Sequence, residues 1–411
     1  ILGFFVIQMK DVCCFMPNTD THPQFAEALR EAEKVGVKLL AYDCKVTKDS
    51  IQIAGEVPVV LDAQDPFDSL PKDMIRWYRR NKRDLPWRNT KDAYHIWVSE
   101  IMLQQTRVEA VKPYYERFLN ELPTVEALAE APEDRLLKLW EGLGYYNRVR
   151  NMQNAARVVM EKYDGRMPEN YEALLELPGI GRYTAGAISS IAFGIPVPAV
   201  DGNVLRVMSR LTMDEDDILK QSVKSRWERE IGVMMPQDRP GAFNQALMEL
   251  GAVVCVPNGT AKCGQCPLEA FCMAREAGRI RDFPKKAPKK QRKIEKRTVL
   301  ILLAGNRTAI CKRPENGLLA GLYEPLNLKE HLSREQILNY LKERHISALH
   351  IQEAEESKHI FSHKEWHMAG YIVKVEEPLG RETDDIIFVE REERKKNYPI
   401  PSAFRAYMKY M

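Results

Sequence analysis

The chain has no apolar stretch near the ~18 residues that a membrane-spanning helix requires, so no membrane partner is expected. It also lacks a convincing leader. The opening ILGFFVIQM is short, has no basic lead-in and no small-residue cleavage site, which argues against a secretory signal. The missing initiating Met leaves room for a longer product. Cysteine is sparse and uneven: of eight, Cys13, Cys14, Cys44 and Cys311 are scattered and four are clustered. That excludes a disulfide-stapled secreted scaffold and makes the cytoplasm the expected compartment. Net charge is small as well, +3 over 411 residues. A nucleic-acid reading must therefore rest on where charge sits rather than on the total.

What is present is ordinary globular composition, 45% apolar and 29% charged, in a length that suits two or three domains. Residues 1–62 read as strand–helix–strand, with FFVIQM and VKLLAYDCKV around the amphipathic HPQFAEALREAEKVG. DAQDPFDSLP then breaks the pattern. Residues 66–281 are helical throughout, punctuated by PTVEAL, APEDRL and MPENYEAL, in which Pro or Asn precedes an acidic first turn. Residues 282–297 form a basic connection. Within it Lys285–Arg297 carries eight basic residues and one acid, read as a solvated linker that can also brush phosphates. Residues 298–411 change again: TVLILLA, HIFSHKEWHMAGYIVKV and IIFVE read as strands, and SREQILNYLKERH as one helix.

Four motifs carry chemistry. In LPGIGRYTAGA (Leu177–Ala187) Pro178, Gly179 and Gly181 make a tight turn between two helical segments. Glycine lets backbone N–H groups approach a partner closely, and N–H groups at a helix start suit a phosphate oxygen. Two carboxylates follow from context. Glu100 in WVSEIMLQQT shares a helix face with Gln104, and Asp201 in PAVDGNV, after an apolar run and before a glycine, suits a carboxylate at an element's end facing a cleft. Two carboxyls with separated pKa values can protonate a leaving group and stabilise an oxocarbenium-like sugar. Cys255, Cys263, Cys266 and Cys272 have the spacing C-x7-C-x2-C-x5-C; four thiolates so close call for zinc or an iron–sulfur cluster. Lys262 and Arg275 in that loop could meet phosphates. Finally, Phe361-Ser362-His363 offers hydrogen-bonding groups beside an aromatic ring, with His359 and His367 flanking it as structural residues.

The segments LPWR, VSEIMLQQT, WEGLGYYNR, the Leu177–Ala187 hairpin, VDGNVLRV and FNQALMELGA resemble, in the same order, those of the MutY family. That family lies within the helix-hairpin-helix glycosylase superfamily, which also includes endonuclease III. The resemblance spans about Pro66 to Met411. It implies a multidomain fold: a mostly α helix-hairpin-helix core with an iron–sulfur loop, an α+β Nudix-like domain, and a small N-terminal α/β fragment. It implies excision of adenine mispaired with 8-oxoguanine or G in double-stranded DNA by a nucleoid-associated monomer. Glu100 would be the acid, Asp201 the carboxylate facing the sugar cation, and Tyr183 and Asn203 its supports. Trp87, Arg88 and Gln245 would line the adenine pocket. Gln105, Leu143 and Tyr145 would sit against the opposite strand with Tyr145 as wedge, Tyr146 being core. Phe361, Ser362 and His363 would read 8-oxoguanine, Gly179 and Gly181 the DNA backbone. The four cysteines would hold a [4Fe–4S] cluster, the extra residue in their first interval being absorbed at Asn258-Gly259.

In the lyases of that superfamily the position of Tyr183 is a lysine nucleophile; a tyrosine cannot form a Schiff base, which favours hydrolysis. GLLAGLYE (Gly317–Glu324) resembles part of a Nudix fold, but ILNYLKERH lacks the carboxylate set that would hold Mg²⁺, so no pyrophosphohydrolase activity is expected. Residues 1–62 resemble the C-terminal end of the sugar fermentation stimulation protein SfsA in FVIQMKDV, HPQFAEALREAEKVGV and LLAYDCKV. They contain no site: Cys13, Cys14 and His22 read as strand and loop residues. The competing readings are an endonuclease III-like glycosylase/lyase for oxidised pyrimidines and a lesion-binding protein without catalysis.

Overall fold

The computed structural model describes residues 2–9, 12, 15–17, 22–61, 70–288, 291–376, 382–383 and 385–411. Cys13, Cys14 and most of the DAQDPFDSLP break lie outside the described residues. The chain divides into two compact units, Ile1–Met74 and Ile75–Met411. The first holds β1 (Leu2–Ile7), α1 (Pro23–Lys34), β2 (Lys38–Val46) and β3 (Ile51–Val57), in a sheet of order β1-β2-β3. β1 pairs parallel to β2, with α1 as the crossover, and β3 pairs antiparallel to β2. The third strand is an addition to the strand–helix–strand reading; its IQIAGEV is mostly exposed and pairs through backbone rather than through an apolar face.

In the second unit a helical region comes first: α2 (Leu70–Asn81, in which the division falls), α3 (Ala93–Leu103), α4 (Val108–Glu121), α5 (Val125–Glu130) and α6 (Glu133–Leu139). It continues with α7 (Asn147–Tyr163), α8 (Tyr171–Leu175), α9 (Arg182–Ala192), α10 (Gly202–Thr212), α11 (Gln221–Val233), α12 (Pro240–Val253) and the short α13 (Met273–Glu276). Local capping sets these starts. Asp92, Thr124 and Asn170 each accept a bond from a backbone N–H three residues on. α3 is apolar nearly all round and is buried from Tyr94 to Met102 apart from His95. A helix of that kind belongs inside a core, and here its Trp97 is fully buried in one apolar cluster with Phe118 and Trp140.

The α+β region contains β4 (Lys293–Ala304), β5 (Arg307–Lys312), β6 (Tyr323–Glu324), β7 (Leu326–Lys329), α14 (Arg334–Glu343) and β8 (Ala348–Glu353). It ends with β9 (Ser357–Ile360), β10 (Lys364–Val375), β11 (Glu382–Thr383), β12 (Ile386–Glu390) and α15 (Arg391–Asn397). The sheet runs β11-β12-β5-β4-β10-β8, with β6, β7 and β9 pairing β5, β4 and β10. β4 shows why it forms. Leu300, Leu302 and Ala304 enter one apolar cluster with Ile337 and Leu341 of α14, while Val299 and Ile301 enter another with Trp366, Phe404 and Tyr407. This two-residue alternation is that of a strand buried on both faces. β4 begins at Lys293, inside the stretch 282–297 read as linker, because Lys293–Arg297 pairs with β10.

Candidate active site

Glu100 sits near the end of α3 with its side chain buried. The helix-hairpin-helix delivers its partner. Gly179, at φ 77°, closes the turn after α8, and a Cβ there would meet Asn151 Cβ at 2.6 Å. Gly181 then starts α9 with no side-chain cap, which leaves first-turn N–H groups free for an anion. One residue into α9, Tyr183 donates its hydroxyl to Glu100 Oε2 at 2.5 Å. Tyr183 was expected to support Asp201; its hydroxyl instead engages the other carboxylate, because α3 and α9 pack side by side.

Asp201 caps α10, and its carboxylate collects donors: Asn203 N and Val204 N, each at 2.8 Å, and Asn203 Nδ2 at 2.6 Å. Asn203 thus takes the place expected of it. Arg206 lies behind, donating to Asn203 Oδ1 at 2.9 Å, Gly251 O at 2.7 Å and Cys255 O at 2.8 Å. α10 and α12 can approach so closely because residue 251 is glycine; a Cβ there would stand 2.6 Å from Asn203 Cβ.

Electrostatics separate the two carboxyls. Burial raises Glu100 to about 7, the Tyr183 bond pulling the other way and the Asp201 charge pushing further up. Burial also raises Asp201, against the bonds from Val204 and Asn203 and the Arg206 charge. With three hydrogen-bond donors on Asp201 and one on Glu100, the proton belongs to Glu100 and the charge to Asp201. Burial and the Glu100 charge hold Tyr183 well above the ordinary phenol range, so it stays a donor.

Both carboxyls line a cleft of ≈1070 Å³ that also takes in Trp87, Arg88, Gln104, Gln105, Asn203 and Gln245. Tyr78 Oη donates to Gln245 Oε1 at 2.8 Å, so the amide's remaining donors are its NH₂. Sequence reasoning passed over Glu249. Its buried carboxylate accepts from Arg83 N and Nε, each at 2.9 Å, from Arg83 Nη2 at 2.7 Å, and from Arg88 Nη2 at 2.5 Å. Burial alone would raise Glu249, but the two arginines outweigh it and hold it at about 2. Its position one turn beyond Gln245 in FNQALMELGA was the available signal.

Leu143 and Tyr145 line a second cavity, of ≈580 Å³, with Phe361, Ser362 and His363; Gln105 is in the first. Phe361-Ser362-His363 forms the turn from β9 to β10, closed by Phe361 N to Lys364 O at 2.9 Å. Phe361 packs edge-on against Trp366, with ring centroids 4.9 Å apart, and against His359 at 4.6 Å. Arg148, also overlooked, donates to Ile101 O at 2.6 Å, Gln104 O at 2.7 Å and Leu143 O at 2.9 Å. It thereby ties the end of α3 to the Tyr145 loop.

Cys255, Cys263, Cys266 and Cys272 line one pocket walled by apolar side chains including Val207, Leu211 and Leu250. Burial and the neighbouring thiols raise Cys263, Cys266 (to about 12) and Cys272. Among the described residues no three His, Cys, Asp or Glu groups are close enough to hold a single metal ion. Arg275 is paired with Glu269 at 2.5 Å and Lys262 is exposed.

Comparison with known proteins gives these arrangements a class. Residues 98–231 match the HhH-GPD superfamily base excision DNA repair protein model, 298–410 a NUDIX domain, and 2–50 the sugar fermentation stimulation protein RE domain. A helix-hairpin-helix base-excision protein is therefore the class that fold and cleft define. Adenine DNA glycosylase of Homo sapiens is 36% identical over 350 residues, covering 71% of this chain and 64% of that protein. The one from Buchnera aphidicola (strain APS) is 32% identical over 303 residues, covering 74% and 85%. A thermostable thymine-DNA glycosylase structure aligns at 29% identity and TM-score 0.46, covering 52% of this chain and 97% of that chain. The chain belongs to the adenine DNA glycosylase family. It spans just under two thirds of the human relative's length.

Proposed function

We propose that the protein hydrolyses the N-glycosidic bond of adenine mispaired with 8-oxoguanine, or with G, in double-stranded DNA, leaving an abasic site without cutting the strand. The observation that carries this reading is the pairing on one cleft of a buried Glu100, raised to about 7, with an Asp201 carboxylate that accepts three hydrogen bonds. A base is reached only once it is flipped from the stack. The cleft then offers the Gln245 NH₂ group and the Arg88 guanidinium to its edge. Glu100 delivers its proton to a ring nitrogen of the adenine as the bond to C1′ lengthens. The Asp201 carboxylate faces the positive charge that develops on the sugar. Water completes the reaction. The residue at the lyase position is a tyrosine whose hydroxyl is bound to Glu100, so no amine competes with water.

The cavity shared by Tyr145, Ser362 and His363 supports recognition of the opposite base. The four cysteines, gathered around a pocket rather than a point, suit a [4Fe–4S] cluster better than one tetrahedral ion. Such a cluster would supply four thiolate bonds that shape the loop. Single-turnover release of adenine from A:8-oxoguanine, A:G and thymine-glycol duplexes tests the reading. Release from the first two, with intact strands until base or heat is added, is the expected outcome.

A further inference from the structure

The basic run after the helical region begins attached to the cleft. Ile218 N donates to Lys285 O at 3.2 Å, and Ala287 N donates to Asp217 Oδ2, also at 3.2 Å. Residues 285–287 are therefore stitched to the loop between α10 and α11. Pro284 and Pro288 bracket the segment and restrict its backbone. Lys285 turns outward to Glu215, at 3.3 Å, and over the Phe283 ring. Lys286 turns the other way and lines the catalytic cleft, as do Lys224 and Gln221 of α11.

The acids on this rim are already engaged. Both Asp217 carboxylate oxygens accept backbone N–H groups, from Leu219 and Ala287. Glu228 pairs with Arg182 at 2.9 Å. Among the described residues neither Lys224 nor Lys286 has a carboxylate partner. Two ammonium groups without a carboxylate partner thus line the cleft that holds Asp201, where they add positive charge for an approaching DNA backbone.

We propose that Lys286, with Lys224, is a phosphate-binding site for the DNA strand that carries the flipped base, positioned by the Asp217 pin. The site rests on the DNA reading above. It makes the first residues of the interdomain connection part of the DNA-binding surface, whereas a solvated linker would contribute charge without position.

The test is the salt dependence of binding to fully matched duplex and to an A:8-oxoguanine duplex bearing uncleavable 2′-fluoro-deoxyadenosine. Lys286→Ala is expected to weaken both complexes several-fold and to flatten the slope of log K against log [salt] by about 0.9. Lys224→Ala should do the same. Lys396→Ala, which removes an equal charge from α15, should leave the slope unchanged. Asp217→Ala keeps Lys286 but frees its backbone; the effect of Lys286→Ala should shrink in that background. Overlapping slopes for Lys286→Ala and Lys396→Ala would overturn the site. Full additivity of Asp217→Ala and Lys286→Ala would overturn the pinning. Absence of salt-dependent DNA binding by the unaltered protein would instead remove the DNA reading itself.

Discussion

The hydroxyl oxygens of Tyr145 and Ser362 stand 3.0 Å apart and join two regions of the second unit that are 217 residues apart in sequence. Tyr145 is held in left-handed backbone at φ 48°, and its side chain is half exposed. A non-glycine residue there is under strain that its surroundings must sustain. Arg148 provides that hold through its bonds to the flanking carbonyls of Leu143 and Gly144.

This contact yields the first prediction. Tyr145→Phe and Ser362→Ala should each lower the preference for A:8-oxoguanine over A:G several-fold. Because the two hydroxyls share one bond, the double variant should lose less than the product of the single losses. Ratios of single-turnover rates on the two duplexes measure this.

Glu100 supplies the second. With its carboxyl raised to about 7, the proton donor is present below that pH, and adenine release should fall as pH rises through it. Between the unfolded value of 4.5 and about 7 the folded state holds a proton that the unfolded state has lost. Stability therefore declines across that window and is flat above it. Glu100→Gln, which has no proton to lose, should abolish release yet unfold later than the parent at pH 8, by about 3 kcal/mol. Chemical denaturation at pH 5 and pH 8 checks the sign.

Tyr183→Phe removes the bond that pulls Glu100 downward. The alkaline limb of the rate profile should move to higher pH, and the maximal rate should fall roughly tenfold as the acid weakens. A profile of unchanged midpoint would show that Tyr183 acts only as packing.

Glu249→Gln leaves the Arg83 and Arg88 guanidiniums without a charged partner. Arg88 is nearly buried and Arg83 about one-third exposed. Breaking such a group should cost about 3 kcal/mol of stability, toward the low end for buried pairs. The parent's contribution is fully present above pH 4.5 and is lost as pH falls toward about 2. Acid denaturation curves of parent and variant should therefore converge at low pH.

Much of this arrangement was legible in the sequence. Glu100, Asp201, Asn203 and Gln245 fall in short segments of recognisable order, and Phe361-Ser362-His363 lies at a strand end. Glu249, Arg206 and Arg148 were not legible. Glu249 lies one turn beyond Gln245 on an apolar helix, but its arginine partners cannot be read locally, and Arg206 and Arg148 sit among other polar residues with no local sign that their charge turns inward. Only the packing of distant segments brings Arg83 to Glu249, 166 residues on, or Arg206 to the Cys255 carbonyl. The Tyr183 partner differs for the same reason: the resemblance implies support of Asp201, while helix packing gives its hydroxyl to Glu100. Strand β3 went unread because IQIAGEV presents little of the buried alternation that marks a strand.

Four cysteines around one pocket lead to a further prediction. Protein purified without oxygen should contain iron and sulfide. Cys266→Ser should lower that content and the thermal midpoint together, as measured by metal analysis and calorimetry on the same preparation.

Glu100 and Asp201 are proposed to form a hydrolytic pair without a lyase nucleophile. Its most direct test is a single-turnover experiment on a labelled A:8-oxoguanine duplex, following adenine release and strand scission in parallel for the parent, Glu100→Gln and Asp201→Asn. Adenine release by the parent alone, with strands intact until base or heat is applied, is the expected result. Release by Glu100→Gln at a rate near the parent's, or spontaneous strand scission, would contradict it.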